Sequence, residues 1–279
     1  MAHVKIQYDV MDAFCMDVFQ RFGFTKEESR IISDVLLLSD VYGIESHGAQ
    51  RLVRYHKGIA SGMIKVHAKP EIVFETPVSA VVDGHDGMGQ LIGHFAMDLA
   101  IKKAKEIGMA IVTVRDSNHF GIAGYYARWP AIRLIGMAFT NSEAIVVPTF
   151  GKKAMLGTNP IAISMPAEPY PFFFDASTSV VTRGSSRCTE KPRSQFLTAG
   201  VWMPTAILAQ TLQKLLTNID KKPAAAIMPL GGAEELTGSH KGYGYAMLCE
   251  IFCSILSMGL TSNHSIQNGK GGTCHGFIA

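Results

Sequence analysis

Charge is sparse in this chain. Acidic and basic residues make up 18% of 279 residues, and the net charge is only +3. No block of Lys and Arg stands out, which argues against nucleic acid as a partner, because phosphate binding needs clustered cations. Long apolar runs are also missing. The nearest, Tyr243 to Leu260, is interrupted by Glu250 and two serines, whereas a membrane span needs about 18 apolar residues. A membrane partner is therefore not expected. The first ten residues hold no apolar core of a secretory leader.

Cysteine is scarce too. The five are Cys15, Cys188, Cys249, Cys253 and Cys274. An odd, scattered set does not make a disulfide framework, and a reducing, cytoplasmic compartment is expected. Cys249 and Cys253 share a helical face, but no matching ligand pair lies near them, so they read as buried thiols and no metal is expected.

What remains is ordinary globular material. Apolar residues make up 47%, enough for one large or two modest domains with a sizeable core. Residues 8 to 42 read as helices. Thr25 and Glu28 form a capping box, and Ile31, Ile32, Val35, Leu36 and Leu38 follow at helical spacing. The pattern changes near residue 70. Strands are expected at 71–75, 79–83, 109–114, 136–140, 160–165 and 172–175, with a helix over about 90–107. Strands alternating with helices make the centre α/β. A last helix is expected over 243–258, stopping at Gly259. The end, Cys274 to Ala279, is apolar and strand-like.

Two segments carry candidate chemistry. If Ser46 to Tyr55 is one helix, His47, Arg51 and Tyr55 fall at i, i+4 and i+8 on one face. Arginine can hold a carboxylate through two parallel hydrogen bonds. Histidine can exchange a proton with an alcohol or ketone oxygen. The same stripe also suits a plain solvated face. His119, in Asp116-Ser117-Asn118-His119-Phe120-Gly121, follows a strand, where loops often meet a crevice. It equally suits a loop whose polar side chains satisfy its own backbone.

A third segment is ambiguous. Gly87-Met88-Gly89-Gln90-Leu91-Ile92-Gly93 lies between a strand and a helix, and the next strand ends at Arg115-Asp116. This resembles a dinucleotide fingerprint with Asp116 on the ribose. Its spacing is one residue too long, and His85 and Asp86 precede it. The alternative is a tight turn that starts a packed helix.

Taken in order, many short motifs carry a family resemblance. They are Ser46-His47-Gly48 with Arg51 and Tyr55, Asp83-Gly84 with Gly87 and Gly89-Gln90, and Ser117-Asn118-His119-Phe120-Gly121. Then come Thr140-Asn141-Ser142, Gly157-Thr158-Asn159-Pro160, Phe174-Asp175-Ala176-Ser177-Thr178, Pro229-Leu230-Gly231-Gly232 and His240-Lys241-Gly242-Tyr243-Gly244. Over about residues 5–183 and 218–279 the chain resembles the malate/L-lactate dehydrogenase family, which includes ureidoglycolate, diketogulonate and sulfolactate dehydrogenases.

The resemblance implies NAD- or NADP-dependent interconversion of a 2-keto acid and a 2-hydroxy acid by a homodimer. It implies an α/β fold with a family-specific, non-Rossmann cofactor domain. The expected divisions are a helical N-terminal substrate lobe over 1–70, a cofactor domain over 71–235, and a C-terminal segment over 236–279 packing back on the first lobe. His47 and His119 are the implied acid/base candidates, with Arg51 and Tyr55 on the substrate. Ser142, Asp175, Ala176, Ser177, His240, Lys241 and Gly242 are implied on the dinucleotide.

Residues 184–217 depart from the family pattern. With free codon choice a shifted reading frame restores that pattern, so a compensated frameshift is expected, with slips near Gly184 and Thr217. The chain also stops before the family's usual end. An inactive protein that keeps part of the fold is therefore a second reading, and a Rossmann-type dehydrogenase using Gly87 to Gly93 a third.

Overall fold

The computed structural model describes residues 5–129, 133–181, 201–202, 226–267 and 270–279. The departing stretch 184–217 lies outside the described residues, apart from the backbone of Val201–Trp202.

The chain opens with two helices, α1 (Tyr8–Arg21) and α2 (Lys26–Val41), packed on each other. The capping box is present: Thr25 accepts from the Glu28 amide, and Glu28 reaches back to the Thr25 amide. Such a cap is worth about 1 kcal/mol. Phe19, Ile32, Leu36 and Tyr55 form the core of this helical part, and Met88 closes it from below.

The single helix expected over 46–55 is broken. Two short 3₁₀ turns, Glu45–His47 and Ala49–Arg51, come first, and α3 runs only from Leu52 to Ala60. Gly48 separates the turns with extended backbone, φ −84° and ψ −152°. The cause lies on α2. The Asp40 carboxylate accepts the Ala49 amide at 2.8 Å, and a Cβ on Gly48 would sit 1.7 Å from Asp40 Oδ1. Asp40 thus caps the second turn from a distance, through the space that the glycine leaves open.

The remaining elements build a seven-stranded sheet. Its strands are β1 (Glu71–Glu75), β2 (Ser79–Asp83), β3 (Ile111–Ser117), β4 (Gly136–Thr140), β5 (Ile161–Met165), β6 (Phe172–Ala176) and β11 (Thr273–Ile278). Two short ladders, β7 (Val201–Trp202) with β8 (Ala226–Ile227) and β9 (Ile266–Gln267) with β10 (Lys270–Gly271), stand apart. The order in the main sheet is β1-β2-β3-β11-β4-β5-β6. Only β2 and β3 run parallel; every other adjacent pair in this sheet is antiparallel.

The chain's final strand is therefore the sheet's middle strand. His275 and Phe277 point to one face, where α4 (Gly89–Ile107) and α5 (Ala123–Arg128) pack. Cys274 and Ile278 point to the other, against Cys249, Cys253 and Phe252. There α6 (Ser239–Glu250) runs on into a π-helical turn, Ile251–Ile255. Alanines 96, 100 and 104 let α4 lie close on the sheet, and Gly108 ends that helix in the left-handed region at φ +107°. Cys249 and Cys253 are buried, and burial pushes both thiols far up. Among the described residues no helix is long and apolar enough to cross a membrane.

Candidate active site

The glycine-rich turn and the His119 loop are one packed unit. Gly84 N–H donates to Arg115 O at 2.9 Å and Asp86 N–H to Asp116 O at 2.8 Å. Asn118 Nδ2 reaches the carbonyls of Asp86 at 2.8 Å, Gly87 at 3.0 Å and Met63 at 3.2 Å. A Cβ on Gly89 would meet Asn118 O at 2.1 Å and His119 O at 2.5 Å. The space beside Gly89 is therefore filled by this chain's own backbone. A strand-helix-strand unit with parallel β2 and β3 does exist here, and Gly89 in it serves close packing. That packing favours the tight-turn reading of Gly87 to Gly93 over the fingerprint reading with Asp116 on a ribose.

That packing fixes where His119 stands. Its ring lies against His47, with centroids 5.3 Å apart and planes 20° apart. The Tyr55 hydroxyl lies 2.9 Å from His119 Nδ1, and the Gly121 amide donates to the same nitrogen at 3.3 Å. His47 Nδ1 is 2.9 Å from Ser46 Oγ. Arg51 Nε donates to Ser46 O, which ties the guanidinium to the His47 turn. The structure thus brings His47, Arg51, Tyr55 and His119 together, from two 3₁₀ turns, one helix and one post-strand loop.

Burial sets the protonation of this cluster. His119 is held well below the ordinary imidazole range, first by burial and then by Arg54, His47, Arg51 and His275. His47 is lowered to about 4 by burial, with Arg51 and Arg54 adding to it. Tyr55, 1% exposed, is pushed up to about 12 by burial. Both rings are therefore neutral at neutral pH, and the nearby positive charge comes from arginine.

Several contributors escaped the sequence reading. Arg54 acts on both histidines and lies in the first turn of α3, directly after Arg51 at its N-cap. Gln90 is fully buried near the Tyr55 hydroxyl, and neither amide atom makes a well-aligned hydrogen bond among the described residues. His275 stacks on Phe120 at 4.3 Å, with its nitrogens on Thr140 Oγ1 and Ser117 Oγ at 2.8 and 3.0 Å. It supports the His119 loop from behind.

A second set of candidates starts just past the His119 loop. Asp175 Oδ2 accepts the Gly124 amide at 2.7 Å, just past the His119 loop, and burial raises its pKa. Ala176, Ser177 and Thr178 continue from it. Thr178 O accepts the Leu230 amide at 2.9 Å, and a Cβ on Gly242 would strike Leu230 O at 2.2 Å. Ser142 Oγ accepts the Thr158 amide at 3.1 Å, and Thr158 O accepts the Thr178 amide. Ser142, Asp175, Ala176, Ser177 and the His240-Lys241-Gly242 segment are thus linked through a few backbone contacts. At the far end a cleft of about 230 Å³ opens over the start of α6, lined by Leu230, Gly231, Glu235, His240, Lys241 and Tyr245 among others.

Two stacked histidines beside guanidinium groups, on loops and turns of an α/β scaffold, have the chemistry to exchange a proton and to hold an oxygen-bearing anion. Residues 6–279 match the malate/L-lactate dehydrogenase family, and the chain belongs to it. It is 39% identical over 280 residues to a malate dehydrogenase of Pyrococcus abyssi, across 99% of this chain and 76% of that one. It is 37% identical over 241 residues to an L-sulfolactate dehydrogenase of Methanocaldococcus jannaschii, across 86% and 66%. The crystal structure of malate dehydrogenase from Entamoeba histolytica matches with a TM-score of 0.91 and 37% identity, across 99% of this chain and 78% of that one.

Proposed function

We propose that this chain is a nicotinamide-dependent oxidoreductase that interconverts a small 2-keto acid and the corresponding 2-hydroxy acid. The observation that carries this is the stacked His47–His119 pair with Arg51 tied beside it. Arg51 offers a planar cation for the carboxylate, which fixes the orientation of the neighbouring carbonyl. The histidine pair handles the proton on the carbonyl or alcohol oxygen. Tyr55 acts on the substrate through His119, since its hydroxyl is engaged by that ring. The relatives named for malate and sulfolactate make a second anionic group on the substrate the favoured case.

NAD or NADP, when bound, supplies and takes up the hydride at its nicotinamide ring. The set from Asp175 to Gly242 fits such a cofactor. Asp175 begins it on the Gly124 amide, just past the His119 loop, and Ala176, Ser177 and Ser142 add small and polar groups. His240 and Lys241 offer cationic and donor groups beside the cleft at the start of α6, which suits phosphate. The proposed organisation keeps a substrate lobe over 1–70, a cofactor domain of non-Rossmann type over 71–235 and a C-terminal segment over 236–279, in a cytoplasmic homodimer. Fluorescence titration of the purified chain with NADH and with NADPH, followed by oxaloacetate, pyruvate and sulfopyruvate, tests the reading. Binding of neither dinucleotide contradicts it.

A further inference from the structure

The site has two histidines where one proton has to move, and their Nδ1 atoms meet different kinds of partner. His119 Nδ1 takes a backbone amide, Gly121 N–H, at 3.3 Å, and the Tyr55 hydroxyl at 2.9 Å. A backbone amide can only donate. Nδ1 of His119 must therefore be the acceptor, and the proton of the neutral ring sits on Nε2. His47 Nδ1 meets Ser46 Oγ instead, at 2.9 Å. A hydroxyl can rotate to donate or to accept, so it serves the His47 ring in either tautomer and when charged.

The surroundings sharpen the difference. The rings are stacked at 5.3 Å, so two imidazolium charges would repel through one buried contact. Arg51 and Arg54 face both rings, Tyr55 lies on His119, and His275 stands behind it. His119 would also have to break its Gly121 contact to gain a second proton, whereas His47 has only to turn a hydroxyl.

We propose that the two rings divide the work. His119 remains neutral with its proton on Nε2 and donates a hydrogen bond to the substrate oxygen, while His47 gains and gives up the proton. This rests on the 2-keto acid reading above. In the reducing direction NADH or NADPH, held by the residues named above, would supply hydride from its ring C–H bond to the carbonyl carbon and be left as NAD or NADP. The carbonyl oxygen takes the proton from the His47 imidazolium, and His47 is left neutral. Oxidation runs the same steps backwards. A substrate carboxylate on Arg51 offsets the positive charge that resists protonation of His47, so binding primes the ring.

The test is nitrogen-15 NMR of the histidine-labelled full chain between about pH 4 and 8, with and without oxamate as an unreactive 2-keto acid mimic. Assignment uses His47→Gln and His119→Gln. The expected result is an unprotonated Nδ1 on His119 throughout. His47 should gain its proton on the acid side, at a higher pH when oxamate is bound. Ser46→Ala should shift the His47 midpoint and leave His119 unchanged, and Ser46→Thr should restore it. In turnover, His119→Gln should lower kcat/KM by on the order of 100-fold while keeping the shape of the pH profile. His47→Gln should remove the acid-dependent limb. A proton on His119 Nδ1, or titration of His119 in place of His47, overturns the division alone. The expected tautomers with neither ring responding to oxamate would overturn the proton-carrying role together with the proposed function.

Discussion

The Tyr55 hydroxyl and His119 Nδ1 stand 2.9 Å apart across 64 positions of sequence. That hydrogen bond joins the helical part of the chain to the loop after β3. Tyr55→Phe removes one buried hydrogen bond and little volume. It is expected to cost about 1 kcal/mol in stability and to loosen His119, lowering kcat/KM more than it raises KM. Urea midpoints and steady-state kinetics on the same preparation check both effects.

Gly48 and Asp40 make a second long-range pair. Gly48→Ala would place a methyl group 1.7 Å from Asp40 Oδ1, and such overpacking costs roughly 1–3 kcal/mol. The Gly48→Ala/Asp40→Ala double variant is expected to be less destabilised than the sum of the two single variants, because the clash disappears with the carboxylate. Denaturation of the four proteins closes the cycle. Additive losses would mean that the two positions are not coupled.

This region also shows what the sequence carried and what it did not. His47, Arg51, Tyr55 and His119 were legible as site candidates, and they meet. The helix expected to align three of them does not exist. Periodicity could not reveal that a carboxylate from α2 takes over the Ala49 amide, since that contact is made only once the chain folds. The positions of β4 and β5 were read from local pattern. The place of β11 between β3 and β4 was not, because strand order is a long-range property. Gln90 stood in a family motif without a role, and His275 carried no signal, being a single polar residue inside apolar surroundings.

Gly89 tests the packing account directly. Gly89→Ala would force a methyl group to 2.1 Å from Asn118 O. The expected outcome is a general loss of stability, seen as a lower melting temperature without any ligand. A variant that keeps full stability and loses only dinucleotide binding would restore the fingerprint reading of this turn.

Acid should weaken the fold in a defined window. Burial lowers His47 to about 4 and His275 to about 3, and lowers His119 as well. Unfolded histidine titrates near 6.5. Between about 6.5 and the lowered folded values the unfolded chain binds more protons than the folded one, so stability falls as pH falls. Each histidine contributes up to about 1.4 kcal/mol per pH unit in that window. Urea midpoints at about pH 7.5 and 5 should show the drop, and His275→Gln should make the slope shallower. A flat profile would mean that these rings are solvated in the native state.

Arg51 should prove more than a positive charge. Its guanidinium is tied to Ser46 O through Nε, an arrangement that lysine cannot copy. Arg51→Lys is expected to raise KM for a 2-keto acid at least 10-fold, on the order of the 1.5–3 kcal/mol that a charge-assisted hydrogen bond contributes, with a small change in melting temperature. An unchanged KM would remove Arg51 from the substrate.

The central claim is that this cluster performs redox chemistry on a 2-keto acid. Consumption of NADH or NADPH by the purified, folded chain with oxaloacetate, pyruvate and sulfopyruvate measures it most directly, with His47→Ala and His119→Ala alongside. The account predicts turnover of at least one of these acids, lost by 100-fold or more in each variant, as removal of a positioned acid/base or donor group costs on the order of 10²–10⁴. Turnover unaffected by both substitutions, or a folded chain that reduces none of the three, would contradict it.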